Sequence, residues 1–277
     1  MTRAGRLLGQ ARGALVAPAV AVLGARLRTR GAVVLTYHDV TADPANPMDQ
    51  VSPDALRAQL SAAQRWGLQF VGLRELTDRL LRDEPVDGLA AVAFDDALVG
   101  VHRYGVPLLG ELGLPATVFV VSNRLGTTAP PWWPGSDRTM TEAELLEAAA
   151  AGLAIESHTR THPDLPTLDG SALADELAGS RAELEDLVGS PVDLLAYPRG
   201  LYDGAVVTAT AAAGYRAAFT FRPGRLEPGL DPYRLPRLPM RSRHSRLRLA
   251  YNLARPSGSF SDHQLDAVGQ LDAVGPG

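Results

Sequence analysis

The sequence predicts one α/β domain, built as a distorted (β/α) barrel of about seven parallel strands. Short apolar, β-branched runs alternate regularly with helical patterns, as is typical of parallel strands joined by right-handed crossovers. A length of 277 residues suits a single domain of this kind. Because no Gly-x-Gly-x-x-Gly sequence follows the first strand, an open dinucleotide-binding sheet is less favoured than a barrel.

The individual elements follow from the local patterns. The runs with strand character are 32–36, 68–72, 90–94, 116–121, 153–157, 192–196 and 216–220. The patterns with helical periodicity are 53–66, 73–82, 102–112, 141–151, 171–188 and 204–213. Two helix starts have capping signals: Ser52 stands before Pro53, and Thr141 with Glu144 has the spacing of a capping box.

Both ends of the chain are expected to lie outside the barrel, which we assign to residues 31–253. Residues 1–30 contain six arginines, no acid and a 13-residue apolar run, which is too short to span a bilayer. This basic N-terminal segment is either a signal peptide or an amphipathic helix that packs on the barrel or makes peripheral contact with a membrane. A cytoplasmic or membrane-associated location is favoured over secretion, and 254–277 form a flexible tail.

The composition excludes several kinds of chemistry. All 27 basic residues are arginine and no cysteine is present, so lysine Schiff bases, Walker-type phosphate loops and thiol catalysis are excluded. With 31 acidic residues the net charge is −4, which argues against a nucleic-acid partner. Catalysis by this chain would therefore use carboxylates, histidines, hydroxyls or a metal.

Candidate reactive side chains follow several predicted strands. His38 follows the first strand, Asp95 and Asp96 follow the third, and His158 and His162 follow the fifth. The carboxyl ends of parallel barrel strands share one face, where such residues meet. On a helical turn, the i, i+4 spacing would bring both imidazoles of the histidine pair to one side, close enough to share a metal. The alternative is a capped helix start with two exposed histidines.

The adjacent aspartates also allow two interpretations. Asp95 and Asp96 could lie in a solvated loop, where one of them caps the next helix. If both were buried and ionised, their repulsion would cost free energy, which a divalent cation would offset. One aspartate with two histidines suits zinc or a similar ion, and three protein ligands leave a position for water.

These motifs resemble the polysaccharide deacetylase family, the NodB-homology domain of carbohydrate esterase family 4, over about residues 31–240. Residues 93–97, Ala-Phe-Asp-Asp-Ala, are similar to the family's Thr-Phe-Asp-Asp-Gly motif, and 157–162 are similar to its His-Ser/Thr-x-x-His motif with a preceding serine. The Tyr-His-Asp-Val sequence at 37–40 and the Tyr-Pro-x-Gly sequence at 197–200 resemble the branch that deacetylates poly-N-acetylglucosamine.

The resemblance implies a metal-dependent hydrolase that removes N-acetyl groups from N-acetylhexosamine units of a polysaccharide or glycan. Asp96, His158 and His162 would bind the divalent ion, with zinc as first candidate and cobalt, nickel or manganese as alternatives. Asp95 would be the general base, and His38 would be the general acid in the place that other members fill from the C-terminal side.

Five further residues are candidates for substrate contact. Tyr197, Pro198 and Arg199 follow the sixth strand, and Arg199 stands where an aromatic residue is common, so an anionic substrate group could bind there. The alternative is that Arg199 is a surface arginine on a loop and does not contact substrate. Trp132 and Trp133 would form a loop wall for a sugar ring, or else plug the barrel rim.

Two departures from the family pattern matter. Ala196 stands where many members have an arginine that orients the base, and Ala97 replaces a glycine, which predicts an ordinary backbone there. Two other functions stay open: an inactive relative that only binds glycan, and a deacetylase of a small N-acetylated metabolite.

Overall fold

The computed structural model describes residues 31–44, 50–133, 137–242, 244 and 246–254. Its strands are β1 (Val33–Tyr37), β2 (Asp39–Val40), β3 (Gln50–Val51), β4 (Gln69–Phe70), β5 (Leu89–Phe94), β6 (Thr117–Val120), β7 (Ala154–Ser157), β8 (Leu194–Ala196), β9 (Ala217–Pro223) and β10 (Leu235–Pro239). Its helices are α1 (Pro53–Arg65), α2 (Leu73–Leu81), α3 (Val106–Leu112), α4 (Glu142–Ala150), α5 (Gly170–Ala174), α6 (Ser180–Val188), α7 (Gly204–Ala212) and α8 (Arg246–Ala254).

Seven of these strands form a closed parallel barrel, which confirms the predicted fold. The order around the barrel is β1, β10, β9, β8, β7, β6, β5. The ring closes because β1 pairs with β5 along the whole length of β1. A separate two-stranded sheet joins β2 to β3. The expectations for the N-terminal segment 1–30 and for 255–277 fall outside the described residues. Among the residues described, no helix is both long and apolar enough to cross a membrane.

The membership of the barrel differs from the prediction at two strands. The run at 68–72 contributes only β4, which pairs with β5 outside the closed ring. The ring instead includes β10, which pairs with both β1 and β9 and was not predicted. Its sequence contains two prolines, which normally argue against an internal strand because proline lacks the N–H donor. The pairing with β9 shifts register between Leu235 and Arg237. The regular hydrogen-bond ladder is therefore interrupted at Pro236, where the N–H donor is missing.

The helix starts agree with the capping signals. The Ser52 hydroxyl accepts a hydrogen bond from the Ala55 N–H at the start of α1. At the start of α4, Thr141 and Glu144 form both hydrogen bonds of the capping box. The predicted helix over 171–188 is present, but a π-helical turn at Asp175–Gly179 separates α5 from α6.

The barrel separates two buried layers. Outward-facing strand residues pack under the helices in the larger hydrophobic cluster. Inward-facing residues form a second cluster, which includes Phe119 and Phe219 from the strands. Leu73, Leu76 and Leu80 of α2 belong to this inner cluster, so α2 packs against the interior of the barrel.

Candidate active site

The carboxyl ends of β1, β5 and β7 bring the predicted reactive residues together. Asp95 and Asp96 directly follow β5, His158 follows β7 and His38 follows β1. The pairing of β1 with β5 continues as the Asp95 N–H donates to the Tyr37 carbonyl oxygen. Both aspartates and His158 are at most 2 % exposed. The two aspartates therefore do not lie in a solvated loop.

Asp96, His158 and His162 form a cluster of metal-ligand type. The Nε2 atoms of His158 and His162 lie 3.6 and 3.5 Å from the same oxygen, Asp96 Oδ1. One ligand atom from each residue can be chosen so that all three lie within 4.8 Å of one another. His158 donates from Nδ1 to the Ala196 carbonyl oxygen at 2.7 Å. Because a carbonyl only accepts, this bond fixes the tautomer and leaves the Nε2 lone pair facing Asp96.

The electrostatics of the cluster suit a cation. Burial lowers the pKa of His158 to about 4, and burial together with His158 lowers the pKa of His162 to about 2. Both rings are therefore neutral at pH 7, as metal ligation requires. Burial, and next the neighbouring Asp95, raise the pKa of Asp96 well above its usual range. A divalent cation would stabilise the ionised form of this carboxylate, so the donor set fits a metal.

His158 and His162 lie on a loop, so the helical turn considered for this pair is not present. Thr159 and His162 both have left-handed backbones, with φ values of 67° and 66°. Glu176, from the π-helical turn, holds this loop by accepting hydrogen bonds from the N–H groups of Arg160 and Thr161 at 2.9 and 2.8 Å. Sequence reasoning missed Glu176 because its carboxylate is distant in the sequence from the loop that it supports.

The backbone after the aspartates also differs from the expectation. Asp96 and Ala97 have φ values of 70° and 51°, so Ala97 occupies the left-handed region rather than an ordinary conformation. Such a backbone at a non-glycine residue costs on the order of 1 kcal/mol. The conformation is held from outside the turn, since the Met140 N–H donates to the Ala97 carbonyl oxygen at 2.7 Å.

Arg237 of β10 orients Asp95, a role that sequence reasoning left unassigned after finding Ala196 at the usual position. Its Nη1 and Nη2 donate to Oδ1 and Oδ2 of Asp95 at 2.7 and 2.8 Å, and the guanidinium is fully buried. Burial alone would raise the pKa of Asp95. Arg237, together with His158 and His38, outweighs that effect and lowers the pKa to about 2. Asp95 is therefore ionised at neutral pH.

His38 lies on the other side of Asp95. Its Nε2 is 4.0 Å from Asp95 Oδ2, and its side chain is 14 % exposed. The ring stacks on Trp133, with centroids 4.5 Å apart and an interplanar angle of 13°, and it also contacts Phe221. These aromatic contacts fix the imidazole at the mouth of the barrel, within reach of both Asp95 and solvent.

The two tryptophans cover the site from one loop between β6 and α4. Trp132 stacks on His162 with centroids 5.1 Å apart, and its Nε1 donates to Asp96 Oδ1 at 3.2 Å. One face of each indole is therefore already occupied by a site histidine, which leaves only the opposite face for a sugar ring. The tryptophans lie over the reactive groups, and their contact with a sugar ring stays a prediction.

The residues after β8 divide between two sides of the barrel wall. The Tyr197 side chain is buried in the outer cluster, and its hydroxyl donates to the Tyr233 carbonyl oxygen, so its contact with substrate stays a prediction. Pro198 is buried at the start of a short 3₁₀ turn. Arg199 is exposed on that turn, where it pairs with Asp164 and has a left-handed φ of 53°.

Residues 82–218 match the sequence model of the polysaccharide deacetylases, a range that includes the metal-type cluster but neither His38 nor Arg237. A Bacillus subtilis protein named as a polysaccharide deacetylase, YxkH, is 25 % identical over 213 residues, which cover 74 % of this chain and 70 % of that protein. The poly-β-1,6-N-acetyl-D-glucosamine N-deacetylase of Staphylococcus epidermidis is 24 % identical over 229 residues, which cover 75 % and 78 %.

Solved structures have the same fold. The Streptococcus pyogenes deacetylase PplD superposes with a TM-score of 0.70 at 21 % identity, over 81 % of this chain and 98 % of that one. The superposition therefore includes nearly the whole of that solved chain.

Proposed function

We propose that this chain is a member of the polysaccharide deacetylase family and a metal-dependent N-deacetylase of N-acetylhexosamine units in a polysaccharide. One observation carries the proposal: a buried ligand cluster adjoins a pair of groups placed for acid–base chemistry. The cluster is Asp96, His158 and His162, and the pair is Asp95 and His38. A protein that only bound glycan would not need both sets.

Asp96, His158 and His162 would hold the divalent ion. Two imidazole nitrogens and one carboxylate oxygen favour zinc, and cobalt, nickel and manganese are the alternatives to be tested. When bound there, such an ion lowers the pKa of coordinated water and polarises the acetamide carbonyl. The neutral state of both histidines at pH 7 keeps their lone pairs available for this ligation.

Asp95 would accept a proton from the attacking water. Arg237 occupies one lone pair on each carboxylate oxygen, and a second lone pair on each stays available for the proton. The same contacts prevent rotation of the carboxylate, which therefore keeps its position beside Asp96. A fixed base avoids part of the entropic cost of bringing reacting groups together.

His38 would donate a proton to the amide nitrogen as the carbon–nitrogen bond breaks. Water supplies the hydroxyl group that ends on the acetyl carbon, so the products are acetate and the free amine of the sugar. An amide nitrogen leaves poorly without protonation, which makes the acid as necessary as the base. The position of His38, 4.0 Å from Asp95 and partly exposed, allows it to contact a substrate that spans the site.

Substrate contacts would come from the rim of the barrel. The exposed Arg199 would bind a polar or anionic group of the glycan, and the open indole faces of Trp132 and Trp133 would contact sugar rings. The name of the Staphylococcus epidermidis relative supports N-acetylglucosamine polymers as the first substrates to test.

The test is acetate release from N-acetylglucosamine oligomers of different linkage by protein stripped of metal and refilled with zinc, cobalt, nickel or manganese. We expect Asp95→Asn to retain metal but to lose about 10²- to 10⁴-fold in rate. His158→Ala should lose both metal and activity. Asp83→Asn, an exposed aspartate in the turn after α2, is the matched control. Normal acetate release by Asp95→Asn would exclude Asp95 as the base, and inertness towards every N-acetylated sugar would overturn the proposal.

A further inference from the structure

We infer that Trp132 is a positioning residue for the metal-binding carboxylate, through a hydrogen bond that its neighbour Trp133 does not make. The inference rests on the metal site of the proposed function and adds a residue to it. The indole Nε1 of Trp132 donates to Asp96 Oδ1, the oxygen that faces both His158 and His162.

The hydrogen bond is directed at the ligand atom itself. A carboxylate oxygen has two lone pairs, so Oδ1 can accept from the indole and still bind a cation. A hydrogen bond from a residue that does not itself bind the metal fixes the orientation of a ligating side chain before the metal binds. The Asp96 side chain is only 2 % exposed, so water is a poor substitute for the indole donor.

Stacking fixes the indole in turn. The Trp132 ring lies on the His162 ring with an interplanar angle of 19°, so one residue contacts two members of the cluster. Trp133 turns to the opposite side of the site and stacks on His38. Its Nε1 is buried without a hydrogen-bond partner among the described residues.

The loop that carries both tryptophans is anchored at its base. Antiparallel bridges join Thr128 to Arg138 and Leu98 to Thr139, and the Ala129 N–H donates to the Asp137 carbonyl oxygen. These bonds limit the positions that Trp132 and Trp133 can take. The indole donor is therefore presented to Asp96 by a supported backbone.

The matched pair Trp132→Phe and Trp133→Phe tests the inference. Each substitution keeps an aromatic ring for stacking, and only the first removes a hydrogen bond to Asp96. We expect Trp132→Phe to weaken Zn²⁺ and Co²⁺ binding by about 10- to 100-fold, the range found for outer hydrogen bonds of metal ligands. Trp133→Phe should bind both ions as the wild type does. The readout is the dissociation constant from competition with a chromophoric chelator.

Urea unfolding of the metal-free variants separates positioning from folding. A role confined to packing would lower the stability of metal-free Trp132→Phe and leave its metal affinity intact. Equal affinity of Trp132→Phe and wild type would overturn the inference, and tighter binding by the variant would show that the indole competes with the metal. Failure of the wild type to bind either ion would instead contradict the proposed function.

Discussion

Arg237 shows at the scale of one residue how the barrel prepares a reactive group. It is fully buried, it holds both oxygens of Asp95, and its Nε donates to the Thr220 carbonyl oxygen at 3.0 Å. The guanidinium also lies 5.5 Å from the centre of the Phe119 ring. Its position is therefore fixed by hydrogen bonds in the plane and by aromatic packing above it. A planar group with two parallel donors is needed for such a contact.

We predict that Arg237→Lys lowers kcat about 10²-fold, because an ammonium cannot hold both oxygens and small misplacements of a reacting group have effects of that size. Metal affinity should stay at the wild-type value, since Arg237 donates its hydrogen bonds to Asp95 and Thr220 and to none of the three ligand residues. Steady-state acetate release and a metal titration measure the two effects. Arg234→Lys, an exposed arginine paired with Asp231, is the control. Wild-type kcat in Arg237→Lys would contradict the role assigned to this contact.

The types of the site residues could be predicted from the sequence, but several of their partners could not. The Asp-Asp and His-x-x-x-His motifs identified the carboxylates and imidazoles, which the structure brings together. Arg237 lies between prolines in Leu-Pro-Arg-Leu-Pro, a sequence that lacks the usual signs of an internal strand. Its contact with Asp95 joins residues 142 positions apart, and no local pattern encodes such a distance.

At the scale of elements, the start of α4 supports the loop above the site. Arg138 donates to both oxygens of Glu144 at 2.6 and 2.7 Å, and the Glu144 carboxylate also accepts from the Thr141 N–H. The capping box predicted from Thr141 and Glu144 is thus also the anchor of the tryptophan loop. The box was predictable because its spacing is local, whereas the Arg138 contact depends on the path of the loop.

We predict that Glu144→Gln removes an acid-dependent part of the stability. Arg138 is the main cause that lowers the pKa of Glu144 from 4.5 to about 2, so the ionised form stabilises the folded state. This contribution is complete above pH 4.5 and is lost as pH falls towards 2. Wild type should exceed Glu144→Gln by about 1 kcal/mol near neutral pH, and the gap should close towards pH 2. Urea unfolding across this range measures the gap.

The matched control for this prediction is Glu142→Gln in the same first turn of α4, where the side chain is exposed. We expect a smaller change there, since Glu142 makes none of the contacts that hold the loop. A gap between wild type and Glu144→Gln that stayed constant down to pH 2 would mean that the Arg138 contact does not stabilise the fold.

At the scale of the whole molecule, the sequence predicted the number of barrel strands and six of the seven strands, but it did not predict that β10 closes the ring. The alternation of strands and helices specified a parallel barrel, because each crossover has a local signature. Which strand closes the ring depends on packing across the barrel, where β10 takes the place between β1 and β9. Helix α2 contributes to the inner cluster from outside the ring, and periodicity alone does not predict that contact.

Glu156 connects several parts of the barrel at this scale. It lies on β7 with no exposure, and it accepts hydrogen bonds from the N–H groups of Asp193 and Leu194 at the start of β8. Arg74 of α2 donates to its other oxygen and also contacts the Pro191 carbonyl oxygen. One carboxylate thus links α2, β7 and the entry to β8.

We predict that Arg74→Met destabilises the protein in a pH-dependent manner. Burial raises the pKa of Glu156 from 4.5 to about 7 even with Arg74 present, so ionisation of this carboxyl costs folded-state stability as pH rises from 4.5 through 7. Without the guanidinium the pKa rises further. Arg74→Met should therefore lose about 3 kcal/mol of unfolding free energy relative to wild type above pH 7, and the loss should shrink towards pH 5, where both proteins hold a neutral carboxyl.

The control is Arg79→Met, which breaks an exposed pair with Glu75 on the same helix and should cost less than about 1 kcal/mol at any pH in this range. Urea unfolding at both ends of the range measures these differences, and equal losses for the two variants would show that the buried carboxylate does not need its cation.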